Sequence, residues 1–300
     1  MTTGVRFRKA FGNRCVLKTE IVSLNKQDNN NNNDKSQDIL NDFTCRGGAV
    51  GGLLRGQPII CGGYKHPLVF QDCFFVGQPR KSDHSQTNNM LFKRAAASSI
   101  VLSPDTLWIV GGYDPDYDHL NSTEFVRFDE KSIPGIGPTY AYNQQDSFKF
   151  LTFLPFIGPE LPFKISGHSM IKYDSNTIFI IGGFQNGIIS RQTWIMDTSE
   201  GFQFREGPTL NINRYGHSCG KLISNNGDIL IVAAGGRDDS NYLDSVEILD
   251  PISNRGWKLG KSKIYLVSTL NYIELSRICI ELAKKYPMYE IFQLSFFHQF

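Results

Sequence analysis

Long apolar runs are missing from this chain of 300 residues: no stretch of 18 or more apolar residues occurs. A membrane-spanning helix is therefore not expected. Net charge is also missing, at only +2, with 31 Lys and Arg against 29 Asp and Glu. So weak a field gives no reason to expect nucleic acid or an anionic membrane as partner. The first fifteen residues carry charges but no apolar segment, so no secretory signal is expected there. Neither a phosphate-binding G-x-x-x-x-G-K-[ST] loop nor an H-E-x-x-H pair is present. Cysteine is sparse: Cys15, Cys45, Cys61, Cys73, Cys219 and Cys279 include no C-x-x-C pair, which argues against a zinc site. Buried thiols in a reducing compartment are the default. The location expected from these absences is cytoplasmic.

Glycine and phenylalanine are plentiful, with 28 and 22 copies. That pairing fits many tight turns between short aromatic strands, an all-β chain. A glycine doublet closes an apolar run four times: Gly62-Gly63, Gly111-Gly112, Gly182-Gly183 and Gly235-Gly236. The second glycine recurs at 63, 112, 183 and 236, so the intervals are 49, 71 and 53 residues. A repeat of roughly fifty residues follows, with an insertion of about twenty in the second copy. Other landmarks keep this register. His168 returns as His217, and Gly158-Pro159 returns as Gly207-Pro208, each 49 residues later. Phe204 and Trp257 each precede a glycine by three residues, and Arg94 and Arg214 each open a repeat.

The order Arg-x-x-His, apolar strand, Gly-Gly, variable loop, second strand, aromatic, Gly-Pro resembles the kelch repeat over roughly residues 47–260. The pattern has departures: Ala97 stands where the fourth repeat has His217, and the third has Ile165 where an Arg would stand. The resemblance implies an all-β propeller of four-stranded blades. Four blades are expected, near 47–93, 94–163, 164–212 and 213–262. Relatives of this kind more often carry six or seven, so the expectation here is an open arc with two exposed end faces. Residues 1–46 form an N-terminal segment whose Asn-rich part, 25–38, is too polar to order itself. Residues 129–158 read as a long loop. Residues 263–300 diverge from the repeat, and 271–285 reads as a helix.

Several groupings invite a chemical reading. His168 and His217 could hold a metal, but as repeat positions they are expected to bond backbone within their own blades. Asp114, Asp116 and Asp118 superficially suit calcium, yet an EF-hand requires Gly and Glu where His119 and Phe125 stand. Galactose oxidase shares the resemblance, and Tyr113, Tyr215, Tyr242, His168, His217 and Cys219 supply its ligand types, but their spacing selects no site. No catalytic residue, metal or cofactor is therefore expected. Cys61 and Cys73 flank the first inter-strand loop and would lie on paired strands, where a disulfide is geometrically allowed. The resemblance also includes secreted relatives with such a pair, which keeps an extracellular location open.

The loops after the doublets remain as the candidate surface: residues 64–71, 113–121, 184–191 and 237–244. Tyr64, Tyr113, Phe184, Arg237 and Tyr242 are interface-type residues there, and Asp114, Asp116, Asp118, Asp238 and Asp239 make two loops acidic. The reading is a protein-interaction scaffold or adaptor. The alternatives are a secreted carbohydrate-binding or oxidase-like propeller, and a truncated product with no function of its own.

Overall fold

The computed structural model describes residues 46–75, 89–128, 153–224, 228–253 and 255–260, and three short strands at 4–6, 20–22 and 289–294. Four antiparallel sheets follow one another along the chain. We name the strands of each a to d in chain order. Strand a is Val50–Leu54, Ser98–Ser103, Ser169–Lys172 and Ser218–Ser224 in sheets one to four. Strand b is Gln57–Cys61, Thr106–Val110, Thr177–Ile181 and Ile229–Ala234. Strand c is Cys73–Phe75, Thr123–Phe128, Thr193–Asp197 and Val246–Leu249. Strand d is Phe153–Ile157, Gln203–Glu206 and Trp257–Leu259 in sheets two to four. Consecutive a strands touch one another, which places them at the axis. The sheets are the blades of an open propeller.

Alternation along each strand sends neighbouring side chains to opposite blades. In strand b of blade two, Leu107 and Ile109 join the core shared with blade one, while Trp108 and Val110 join the core shared with blade three. A third core, with Phe179, Ile181, Ile231 and Trp257, joins blades three and four. A strand buried on both faces reads as a continuous apolar run, which is why strand b carries the plainest sequence signal.

The glycine doublets are the joints. The second glycine donates its N–H to a carbonyl of the next blade: Gly63 to Arg94 at 2.7 Å, Gly112 to Ile165 at 2.8 Å, Gly183 to Arg214 at 2.8 Å. The first glycine makes room for that carbonyl. A Cβ on Gly111, whose φ is +59°, would lie 2.4 Å from the Ile165 oxygen. A second line of bonds runs beside the axis, from Ala96 N to Gly48 O, Gly167 N to Ala96 O, and Gly216 N to Gly167 O, at 2.9, 2.7 and 2.7 Å.

Three expectations change. Residues 129–158 are not one loop: Phe153–Ile157 pairs with strand c as strand d. The two end faces are not equally open. Leu53 on blade one is exposed, whereas Leu222, Val232 and Ala234 on blade four are buried. The cysteines Cys61 and Cys73, directly opposed in register on strands b and c with Cα atoms 4.0 Å apart, form a disulfide rather than two thiols. The expected helix at 271–285 and the Asn-rich stretch lie outside the described residues. Tyr289–Leu294 pairs antiparallel with strand a of blade four, and Gly4–Arg6 pairs with Glu20–Val22.

Candidate functional site

Each b–c connection folds into a small hairpin over its glycine doublet. The second glycine's carbonyl accepts the closing bond: Phe70 N to Gly63 O, Leu120 N to Gly112 O, Ser190 N to Gly183 O and Leu243 N to Gly236 O, at 2.8 to 2.9 Å. In blades one to three the same glycine thus ties a hairpin to the inter-blade joint. The four hairpins stand at one end of the arc and are fixed relative to one another.

The sequence-selected loop residues fall into distinct settings. Tyr64, Tyr113 and Tyr242 expose much of their surface. Phe184 is half-buried, with its ring 4.6 Å from that of His119 on the neighbouring blade. His119 also bonds Ser166 Oγ at 2.9 Å, linking the hairpins of blades two and three. Arg237 lies between the rings of Tyr215 and Tyr242, at 5.5 and 5.6 Å from their centroids. Asp114 is not a solvated loop carboxylate: it is buried, and its Oδ1 accepts the N–H of Asp116 at 2.8 Å. Asp116 accepts from Lys93 Nζ at 2.8 Å, and that bond raises the lysine above its ordinary range. Asp118 sits at a positive φ of 67° with its carboxylate exposed. Asp238 caps the turn through the N–H groups of Ser240 and Asn241, which hold its carboxyl below the usual range. Asp239 accepts from Asn213 Nδ2 at 2.7 Å. Sequence reasoning passed over Leu68, Tyr117 and Ile188, all strongly exposed in the same hairpins. The available signal was an apolar residue in the short turn of each hairpin.

The repeat landmarks are packing groups. Arg94 pairs with Glu124, and Arg214 with Glu247, each at 2.8 Å with both side chains fully buried. The arginines also donate to the first glycine of their own doublet, Gly111 O at 2.7 Å and Gly235 O at 2.8 Å. Trp257 Nε1 donates to Pro208 O of the preceding blade at 2.9 Å, and Phe204 packs against the core between blades two and three. The aromatic before each glycine thus lies between blades. His168 and His217 are wholly buried. The expected backbone bond within the blade is not made by His217, whose ring nitrogens find no partner among the described residues. Its ring instead presses on Gly182 of blade three, Cε1 lying 2.8 Å from where a Cβ would stand.

Burial pushes His168 down to about 3, and burial with the nearby Arg214 charge holds His217 well below the ordinary range. Both are neutral in the folded chain, whereas in the unfolded chain they take up protons below about pH 6.5. Their contribution is fully present above that pH and is lost as pH falls toward the folded value. Between pH 6.5 and 5 each histidine should cost about 2 kcal/mol. Urea unfolding at pH 7 and pH 5 measures this, and His217→Ala, the residue type at 97 in blade two, should remove about half the difference. An unchanged pH dependence would count against it.

The oxidase-type set is not assembled as one group. Tyr113 and Tyr242 are exposed on hairpins of blades two and four, while Cys219 is buried in the core between blades three and four. Burial raises the Cys219 thiol to about 12, so it is protonated and unreactive. Among the described residues, no group of three or more His, Cys, Asp and Glu is placed to hold a metal ion. Nor, among them, is any helix long and apolar enough to cross a membrane.

The family model described as the kelch motif matches residues 230–255, which run from strand b through strand c of blade four. No curated protein matches the chain.

Proposed function

We propose that this kelch-repeat propeller is a scaffold or adaptor that binds a protein partner with the hairpin end of its arc. The kelch motif belongs to a repeat domain of the protein-interaction type, generally a non-enzymatic fold. The observation that carries the proposal is the set of hairpins anchored on the doublets, with Tyr64, Tyr113 and Tyr242 offered to solvent. Aromatic side chains on a rigid frame supply contact area at low entropic cost. Replacing these three tyrosines by Ala should leave the melting temperature unchanged. Recovery of the partner from the native source, quantified by cross-linking and mass spectrometry, should fall at least tenfold. Undiminished recovery would move the site elsewhere. The Cys61–Cys73 bridge supports the extracellular alternative for location, since such bonds persist where the compartment is oxidising.

A further inference from the structure

The exposed apolar residues at the hairpin end obey a rule. Each blade places one at or near the tip of its hairpin: Leu68 at 59% exposure, Tyr117 at 62%, Ile188 at 68% and Tyr242 at 62%. These residues stay exposed although Tyr242 touches Arg237 and Tyr117 meets Phe92 edge-on, so core formation does not account for apolar chemistry there four times over. The tips are also pre-organised. Each hairpin closes on the carbonyl of a doublet glycine, and three of those glycines hold the next blade through their N–H.

The charges beside the second and fourth tips are mostly acidic. Asp116 and Asp118 flank Tyr117, and Asp238 and Asp239 precede Tyr242. Of the basic groups nearby, Lys93 is occupied by Asp116 and Arg237 lies against two tyrosine rings. Lys65 and Lys164 serve blades one and three. An anionic bilayer would be repelled by the carboxylates at the second and fourth tips, because interfacial binding favours Lys and Arg around apolar anchors. A protein segment with basic residues between its anchors is attracted instead. Packed sheets stand about 10 Å apart and an extended chain advances about 3.3 Å per residue, so neighbouring tips correspond to anchors roughly three to five residues apart.

We infer, building on the interaction reading above, that the four tips form a discontinuous apolar track for an extended protein segment with an apolar anchor about every fourth residue and Lys or Arg between anchors.

The test uses the full chain and two synthetic 17-residue peptides with Leu at every fourth position, one with Lys and one with Glu in the intervening charged positions. Fluorescence anisotropy should show the Lys peptide binding at least tenfold more tightly than the Glu peptide, weakening at high salt. Tyr117→Ala with Tyr242→Ala should weaken it at least tenfold, and Asp118→Asn with Asp239→Asn should narrow the preference between peptides. Equal binding of the two peptides would overturn the inference. So would vesicles of phosphatidylcholine and phosphatidylserine binding through the same tips. If tip variants leave peptide binding intact while the Tyr64, Tyr113 and Tyr242 variant loses its native partner, the track is wrong and the interaction reading stands. If both sets of variants bind everything as the parent does, both are wrong.

Discussion

Replacing Cys61 with Val and Cys73 with Thr should lower the stability of the propeller by about 3 kcal/mol, the value for closing a loop of roughly a dozen residues. Those residue types are chosen from the molecule itself. The same pair of positions, directly opposed across strands b and c, holds Val110 and Thr123 in blade two and Ile181 and Thr193 in blade three. The variant therefore keeps a geometry the fold already uses and removes only the covalent link. Blade one has reason to need it. Among the described residues its core contacts lie on the face toward blade two, while Leu53 on the other side is exposed. A loss of about 3 kcal/mol corresponds to roughly 6–12 °C in melting temperature for a domain of this size. Reductant should reproduce the shift in the parent chain and leave the variant unaffected. Peptide mapping under non-reducing conditions should recover the two cysteines linked. A parent chain indifferent to reductant would mean the sulfurs are not joined in solution, and would remove the support for an oxidising compartment.

What the sequence conveys most clearly is whatever the fold repeats by necessity. Each of the three joints needs a residue without a Cβ at positive φ beside an incoming carbonyl, so the doublets of the first three repeats are plain in the sequence. Features met by differing residues are harder to read. Strand d of blade two lies after an insertion and contains Pro155, which hides it from a search for alternation. Asp114 looks solvated because its loop is polar, yet its side chain turns inward to cap its own backbone. The hairpin tips share exposure and apolar character but not identity or spacing, and only the geometry brings Leu68, Tyr117, Ile188 and Tyr242 into one class. The arginines at 94 and 214 mark the repeat, but their buried glutamate partners lie on strand c, thirty or more residues later, and no local pattern announces the pairing.

Glu247→Ala should cost 3–5 kcal/mol, because it strands the fully buried Arg214 charge and removes the acceptor of the Asn211 and Ile212 N–H groups. Blade two repeats this arrangement, with Glu124 accepting from Arg94, Leu91 N and Phe92 N. Blade three shows how the fold manages without it. Ile165 replaces the arginine, Trp194 replaces the glutamate, and Pro162, which has no N–H, occupies the first donor position. Trp194 stacks on Phe163 with ring centres 4.6 Å apart, so the space once held by charge is filled by aromatic packing. The arginine and glutamate replacements make sense only together, since either alone leaves a buried charge unmet, and the proline removes a donor that would lose its acceptor. It follows that Asn211→Pro, Arg214→Ile and Glu247→Trp combined should recover most of the stability lost in Glu247→Ala, to within about 2 kcal/mol of the parent. Denaturant unfolding of the parent, the single variant and the triple variant decides the matter. A single-variant cost below about 1 kcal/mol would show that the pair is solvated. A triple variant no better than the single one would show that the blades solve this site in ways that cannot be exchanged.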